Sequence, residues 1–300
     1  MRTLFFILTF FISTTGVGQS NTQKLIITPL TKNFYIYTTF GDPGDGSLYP
    51  ANGMYLVTSQ GVVLFDTPWD TAQFQPLLDS IQARHNQKVI MCIATHFHSD
   101  RTAGLKDYKQ KGIKTYTTKQ TDDLLKEKNG PRAEFLIYGD STFNVGQYRF
   151  ETFYPGKGHS PDNIVLWFDR EKILYGGCFI KSIETNSPGN LTDANISEWI
   201  SSIENVQKKF GDPAFTIPGH LEWTNKKSLS HTLKILKNTK AKTGKACIRR
   251  TYAAKLCRGC VFKISSLGQA RPNSAPLHIV NSSIVQLKGY LLLFAGVSIY

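Results

Sequence analysis

The sequence predicts an α/β fold in which two β-sheets pack face to face and helices cover the outside. Two observations predict it. Short apolar, strand-like runs occur in both halves of the chain, separated by stretches with helical periodicity. No solenoid-type repeat links them, which disfavours a stacked array.

Taken in order, Leu25 to Thr39 alternates as one strand centred on Phe34–Tyr37, and the turn formers of Gly41–Ser47 read as a hairpin tip. Gly53–Val57 and Val62–Phe65 are short buried strands broken at Ser59-Gln60-Gly61. Residues 70–85 place Phe74, Leu77, Leu78 and Ile81 at helical spacing, with Pro76 obscuring where the helix begins. The apolar run Lys88–Thr95 is a buried strand. Helices are expected over 103–111 and 120–128, flanking a strand at 113–117. Strands follow at 135–138, 148–154, 163–169 and 172–175. A helix over 195–210 carries Ile196, Trp199, Ile200, Ile203 and Val206 on one side; a strand at 215–217 and a closing helix at 225–236 complete the set.

The chemistry concentrates in Thr95-His96-Phe97-His98-Ser99-Asp100-Arg101. In an extended segment, His96, His98 and Asp100 at i, i+2 and i+4 would share one face. Three later turns add His159 in Gly158-His159, Cys178 after Gly176-Gly177, and His220 in Pro218-Gly219-His220. Each has an ordinary reading alone: a loop histidine, a small buried hydrophobe, a capped turn. Together, as successive strand ends along one sheet edge, they read as a metal site, and imidazole with thiolate selects zinc over magnesium or calcium. His85, His231 and His278 lack this context and read as surface or helix-face residues, and Cys92 as a core residue.

The HxHxDR motif, the later Gly-His, the Gly-Gly-Cys and the Pro-Gly-His resemble the metallo-β-lactamase superfamily across residues 24–238. The resemblance implies an αββα four-layer sandwich of two mixed sheets. Arg101 and Cys178, where many relatives carry histidine and aspartate, resemble the broad-spectrum di-zinc class B β-lactamases; His96 excludes a narrow-spectrum pattern that has asparagine there. By that resemblance His96, His98 and His159 hold one zinc, and Asp100, Cys178 and His220 a second. Lys181 would bind the substrate carboxylate and Asn190 face the lactam carbonyl, against ordinary readings as a solvated lysine and a turn former. Asp66 and Arg101 would orient ligands, and the 41–47 tip would close over substrate. The implied activity is hydrolysis of a cyclic amide by zinc-activated water, with Asp100 orienting the nucleophile. The alternatives are a lactonase, thioesterase or phosphodiesterase on the same fold, expected to carry aspartate at 178 and no lysine at 181, or a non-catalytic zinc module. A serine hydrolase is disfavoured, since Ser160 lies in no GxSxG elbow.

The bulk properties set the boundaries. Residues 1–20 read as a cleaved secretory leader, with Arg2, an apolar core from Leu4 to Ile12, and small residues at Gly16-Val17-Gly18; the periplasm is the expected destination. The net charge is +13, but residues 241–300 hold nine basic and no acidic residues, while residues 1–240 hold 26 basic and 22 acidic. The excess therefore belongs to the tail, and nucleic-acid binding by the main domain loses its support. The organisation expected is a leader at 1–20, the enzyme domain at 21–240, and an appended, poorly ordered tail at 241–300, where Cys247, Cys257 and Cys260 lie. The partner expected is a small β-lactam substrate of a monomeric enzyme, with no nucleic acid and no stable membrane insertion.

Overall fold

The computed structural model describes residues 25–243 together with 286–287 and 290–291. The expected leader, His278, the three tail cysteines and most of the tail lie outside the described residues.

The first sheet runs β1 (Ile26–Thr31), β2 (Phe34–Gly41), β3 (Tyr49–Thr58), β4 (Gly61–Phe65), β5 (Val89–Ile93), β6 (Lys114–Thr118) and β7 (Phe135–Ile137), adjacent in that order. Pairs up to β3–β4 are antiparallel, and β4 to β7 pair parallel. The parallel pairs need crossovers. These are supplied by α1 (Phe74–His85), by α2 (Ser99–Thr102) with α3 (Leu105–Gln110), and by α4 (Lys119–Glu127). The second sheet has the order β12 (Phe215–Pro218), β11 (Ile173–Gly177), β10 (Val165–Phe168), β9 (Tyr148–Phe153), β8 (Ser141–Val145), with only β11–β12 parallel. Its crossover contains α5 (Ile196–Phe210), and α6 runs from 228 through 243.

Three differences from the expected elements have local causes. The single strand expected over 25–39 is the hairpin β1–β2, because Lys32 takes a left-handed conformation at φ 47° and turns the chain. β8 was not anticipated: it is a short edge strand that exposes Thr142 and Asn144, and it turns into β9 at Gly146, φ 56°. Pro76 stands third in α1, where the missing N–H has no intrahelical acceptor to lose, so the helix runs intact to His85.

Strand alternation divides the apolar residues between two faces. Phe34, Ile36, Met54, Leu56, Phe65, Ile93, Phe150, Leu166, Phe168 and Ile217 pack between the sheets. Tyr37, Tyr55, Val62 and Leu64 point outward to meet Leu77 and Ile81 of α1, Tyr108 of α3 and Leu125 of α4. On the far side Val165, Trp167 and Leu174 meet Trp199, Ile203 and Val206 of α5 and Leu229 and Leu236 of α6. The result is the four-layer αββα order, with two mixed sheets inside. Cys92 lies fully buried in the first outer layer, as a core residue.

The chain divides into two compact units, Met1–Cys247 and Ile248–Tyr300. Of the second, the described residues form one antiparallel pair, β13 (Gln286–Leu287) with β14 (Tyr290–Leu291).

Phe168 is a keystone of the inter-sheet layer, with ring centroids 4.9 Å from Phe34, 5.1 Å from Phe150 and 5.4 Å from Phe65. Phe168→Ala is expected to lower unfolding free energy by about 3–5 kcal/mol. Tyr138→Ala, at a side chain 70% exposed, should stay within about 0.5 kcal/mol. Urea titration of both variants checks this.

Candidate metal centre

The donor-bearing turns come from both sheets, which corrects the expectation of a single sheet edge. His96, His98 and Asp100 follow β5 of the first sheet; His159, Cys178 and His220 follow β9, β11 and β12 of the second. The extended-segment argument also fails for Asp100. The chain turns at His98, φ −65° and ψ 150°, and Asp100 sits in the first turn of α2. The turn still sends the carboxylate inward, and it buries Arg101 directly behind.

The first group is three imidazoles. His98 Nδ1 lies 3.1 Å from His96 Nε2 and 3.1 Å from His159 Nε2. One Nδ1 cannot satisfy two ring nitrogens with a single proton, so the contacts are not simply a hydrogen-bonded trio. They approach the donor separation of about 3.3 Å that tetrahedral zinc–nitrogen bonds imply. The outer ring nitrogens are oriented by other groups: His96 Nδ1 is 3.3 Å from Thr95 Oγ1, and His98 Nε2 is 2.9 Å from Asp193 Oδ2. His159 Nδ1 is buried without a partner among the described residues. Burial holds His96 and His159 well below the ordinary histidine range, in the neutral form that binds metal.

The second group is Asp100, Cys178 and His220. Cys178 Sγ is 3.1 Å from Asp100 Oδ2 and 3.2 Å from His220 Nε2, and His220 Nε2 is 3.2 Å from Asp100 Oδ2. His220 Nδ1 is 2.8 Å from the Pro50 carbonyl, to which it donates, so Nε2 presents a lone pair to the group. Burial acts to raise the Asp100 pKa, but Arg101 and His220 outweigh it and hold the carboxyl well below its usual range. Burial pushes the Cys178 thiol upward against the pull of Arg101; a coordinated cation reverses that and takes the thiolate. His, Asp and Cys donors within reach of one another fit a pair of borderline cations such as zinc.

Behind the second group lies Arg101, 1% exposed. Its Nε donates to Asp100 Oδ2 at 2.9 Å and to Cys178 Sγ at 3.2 Å. Nη1 donates to the Asn52 carbonyl at 2.7 Å and Nη2 to the Gly219 carbonyl at 2.6 Å. Asp66, also fully buried, accepts from Thr95 N–H at 2.7 Å and from the Tyr175 hydroxyl at 2.6 Å, and lies 3.5 Å from Arg101 Nη1. Burial raises the Asp66 pKa to about 6, with Arg101 opposing.

A cavity of about 530 Å³ opens beside both groups, lined by His98, Asp100, His159 and His220 and by Tyr49, Trp69, Lys181 and Asn190. The Lys181 ammonium sits 5.3 Å from the Trp199 ring centroid. Asn190 is exposed; its Oδ1 accepts the Thr192 N–H at 2.9 Å, as a turn former's would, and its Nδ2 makes no hydrogen bond among the described residues. The 41–47 tip lies at the cavity's edge, where Asp42 Oδ1 accepts from the N–H groups of Gly44, Asp45 and Gly46. His85 instead meets the Tyr55 hydroxyl at 3.0 Å, and His231 the Thr185 carbonyl at 2.7 Å, both away from the donors. Sequence reasoning passed over Asp193, Asn52 and Tyr175. Only Asp193, three residues beyond Asn190, had a nearby signal.

The family model described as the metallo-beta-lactamase superfamily matches residues 47–220. "Metallo-beta-lactamase type 2" of Elizabethkingia meningoseptica is 43% identical over 219 residues, covering 73% of this chain and 87% of the relative. The protein of the same description from Bacillus cereus is 38% identical over 221 residues, covering 74% and 86%. The crystal structure of metallo-beta-lactamase IND-7 superposes with a TM-score of 0.69 at 39% identity, covering 72% of this chain and 99% of that one. The chain thus belongs to the metallo-beta-lactamase superfamily.

Proposed function

We propose that this chain is an exported, zinc-dependent β-lactamase that opens the amide bond of penicillins, cephalosporins and carbapenems and so confers resistance. Two adjacent three-donor groups on one cavity carry the reading. His96, His98 and His159 would hold one zinc and Asp100, Cys178 and His220 the other. Bound there, zinc supplies Lewis acidity and an activated water at neutral pH. The relatives named metallo-beta-lactamases support the substrate class.

The chain's own residues bind and orient. Lys181 attracts the substrate carboxylate. The free Asn190 Nδ2 meets the lactam carbonyl and adds a donor where oxyanion charge develops. Asp100, ionised and fixed by Arg101, orients the attacking water. Asp193 holds the His98 ring through its outer nitrogen. Cys178 supports this reading over a lactonase, thioesterase or phosphodiesterase, for which aspartate is expected at that position.

Residues 1–20 are proposed as the export leader, consistent with a periplasmic enzyme that meets its substrate before the substrate reaches its target. Among the described residues no helix is long and apolar enough to cross a membrane. The enzyme is proposed to act as a monomer, without nucleic acid, and residues after about 240 to be an appended, dispensable tail. α6 is described through 243, so a truncation that respects it ends at Cys247.

Four outcomes are expected. Chelation should abolish hydrolysis of a chromogenic cephalosporin, and added zinc should restore it. Cys178→Ser should lower zinc content from two toward one per chain and cut turnover by at least the roughly 10–100-fold that loss of a ligand's outer partner costs. Full zinc content with unchanged turnover would remove Cys178 from the metal. Lys181→Ala should raise KM by about 10–100-fold, as loss of a charged hydrogen bond of roughly 1.5–3 kcal/mol requires. A chain ending at Cys247 should match the full chain in turnover and melting temperature; a large loss in either would show the tail to be part of the enzyme.

A further inference from the structure

Lys181 belongs to no helix or strand: β11 ends at Gly177, and α5 does not begin until Ile196. The place of its ammonium is therefore set by whatever holds the irregular chain on either side. The structure shows four such ties, and two of them come from the first turns of α6. Thr232 Oγ1 accepts the Lys181 N–H at 2.8 Å. The same hydroxyl donates its one proton to the Ser228 carbonyl at 2.7 Å, which leaves it a pure acceptor toward Lys181; the Lys181 carbonyl is farther, at 3.4 Å. Thr232 is fully buried, so no solvent stands ready to replace it. One turn of chain later His231 Nε2 donates to the Thr185 carbonyl at 2.7 Å, and the Glu222 N–H donates to Glu184 Oε2 at 2.9 Å. Trp199 closes the arrangement from α5: its Nε1 donates to the Phe179 carbonyl at 3.0 Å, two residues before Lys181, while its ring lies under the ammonium.

We propose that Thr232 is a positioning residue for substrate binding: its hydroxyl pins the Lys181 backbone so that the ammonium stands over Trp199 at the rim of the metal-flanked cavity, ready for a carboxylate. This rests on the reading of Lys181 as the carboxylate receptor. α6, remote in sequence from every candidate metal ligand but His220, thereby takes part in substrate recognition.

Thr232→Val keeps the side-chain shape and removes the acceptor, which leaves the Lys181 N–H buried and unpartnered and forces the segment to move. The zinc-loaded full chain is assayed with a chromogenic cephalosporin and with the same lactam esterified at its carboxylate. Thr232→Val is expected to raise KM for the acid by about tenfold, the scale of one weakened charged contact, with kcat nearly unchanged. KM for the ester should not move. Thr232→Ser, which keeps the acceptor, should restore the KM for the acid, and Thr232→Val should add nothing in a Lys181→Ala background. Equal KM changes for acid and ester, an additive effect beside Lys181→Ala, or no change at all would each overturn the positioning role. If Lys181→Ala itself leaves KM for the acid unchanged, the carboxylate reading falls and this proposal with it. If Lys181→Ala raises KM and Thr232→Val does not, only this proposal falls. Should Thr232→Val not fold, as thermal melting would reveal, Thr232→Ala carries the same KM comparison.

Discussion

A single buried guanidinium holds the candidate metal centre together. Arg101 reaches Asp100 and Cys178 with Nε, the Asn52 carbonyl with Nη1, and the Gly219 carbonyl with Nη2. Those contacts join α2, β3, the turn after β11 and the turn after β12, and so both sheets. Taking such a charge out of water costs several kcal/mol and is tolerated only with close partners on every face. The planar fork of arginine can serve several turns at fixed angles, which the point charge of a lysine cannot do. Two carboxylates, Asp100 and Asp66, balance the charge from different sides. They are not equivalent: Asp100 is held ionised, whereas burial raises Asp66 into the range where it keeps its proton more readily.

The two donor groups consequently differ in electrical character. The three-imidazole group contains no anionic donor, and burial holds His96 and His159 in the neutral form, while Asp100, and Cys178 once metallated, bring negative charge to the other. Arg101 sits behind the charged group and draws its electron density back from the cavity. A cation placed there is less fully neutralised than the bare count of anionic ligands suggests. The electrostatic asymmetry set by the ligands is thus tempered by one residue of the HxHxDR motif that donates no electron pair to metal at all.

Much of this was legible in the sequence, for an identifiable reason. Metal donors are scarce residue types, and the turns that hold them follow strands whose apolar runs are easily seen; the chain brings His96, His98, Asp100, His159, Cys178 and His220 together. The layered fold was readable from strand-like runs in both halves of the chain separated by helical periodicity; in the structure β2 and β4 each split their residues between two cores. What escaped was set by tertiary contact. Asp193 looks like any loop aspartate until His98 turns its Nε2 toward it, and Thr232 like any helix threonine until Lys181 needs an acceptor. β8 exposes every second residue at a sheet edge, so hydrophobicity barely marks it. The extended spacing of His96, His98 and Asp100 gave convergence for the wrong reason, since a helical turn beginning after His98 is what delivers Asp100.

The close approach of the second sheet's donors depends on glycine. A Cβ on Gly219 would lie 2.6 Å from the Cys178 nitrogen and 2.7 Å from Arg101 Nη2, and Gly177 takes φ 51° immediately before Cys178. Only bare backbone lets the ends of β11 and β12 lie near enough for Cys178 and His220 to share a partner. That contact also seals Arg101 from water, which requires the two sheets to be packed already. The donors after β5 and those of the second sheet therefore have no reason to be near one another in an unfolded or half-docked chain. Free energy of metal binding at this centre is accordingly coupled to the stability of the sandwich, and loosening that separates the two sheets' donors must weaken the hold on metal.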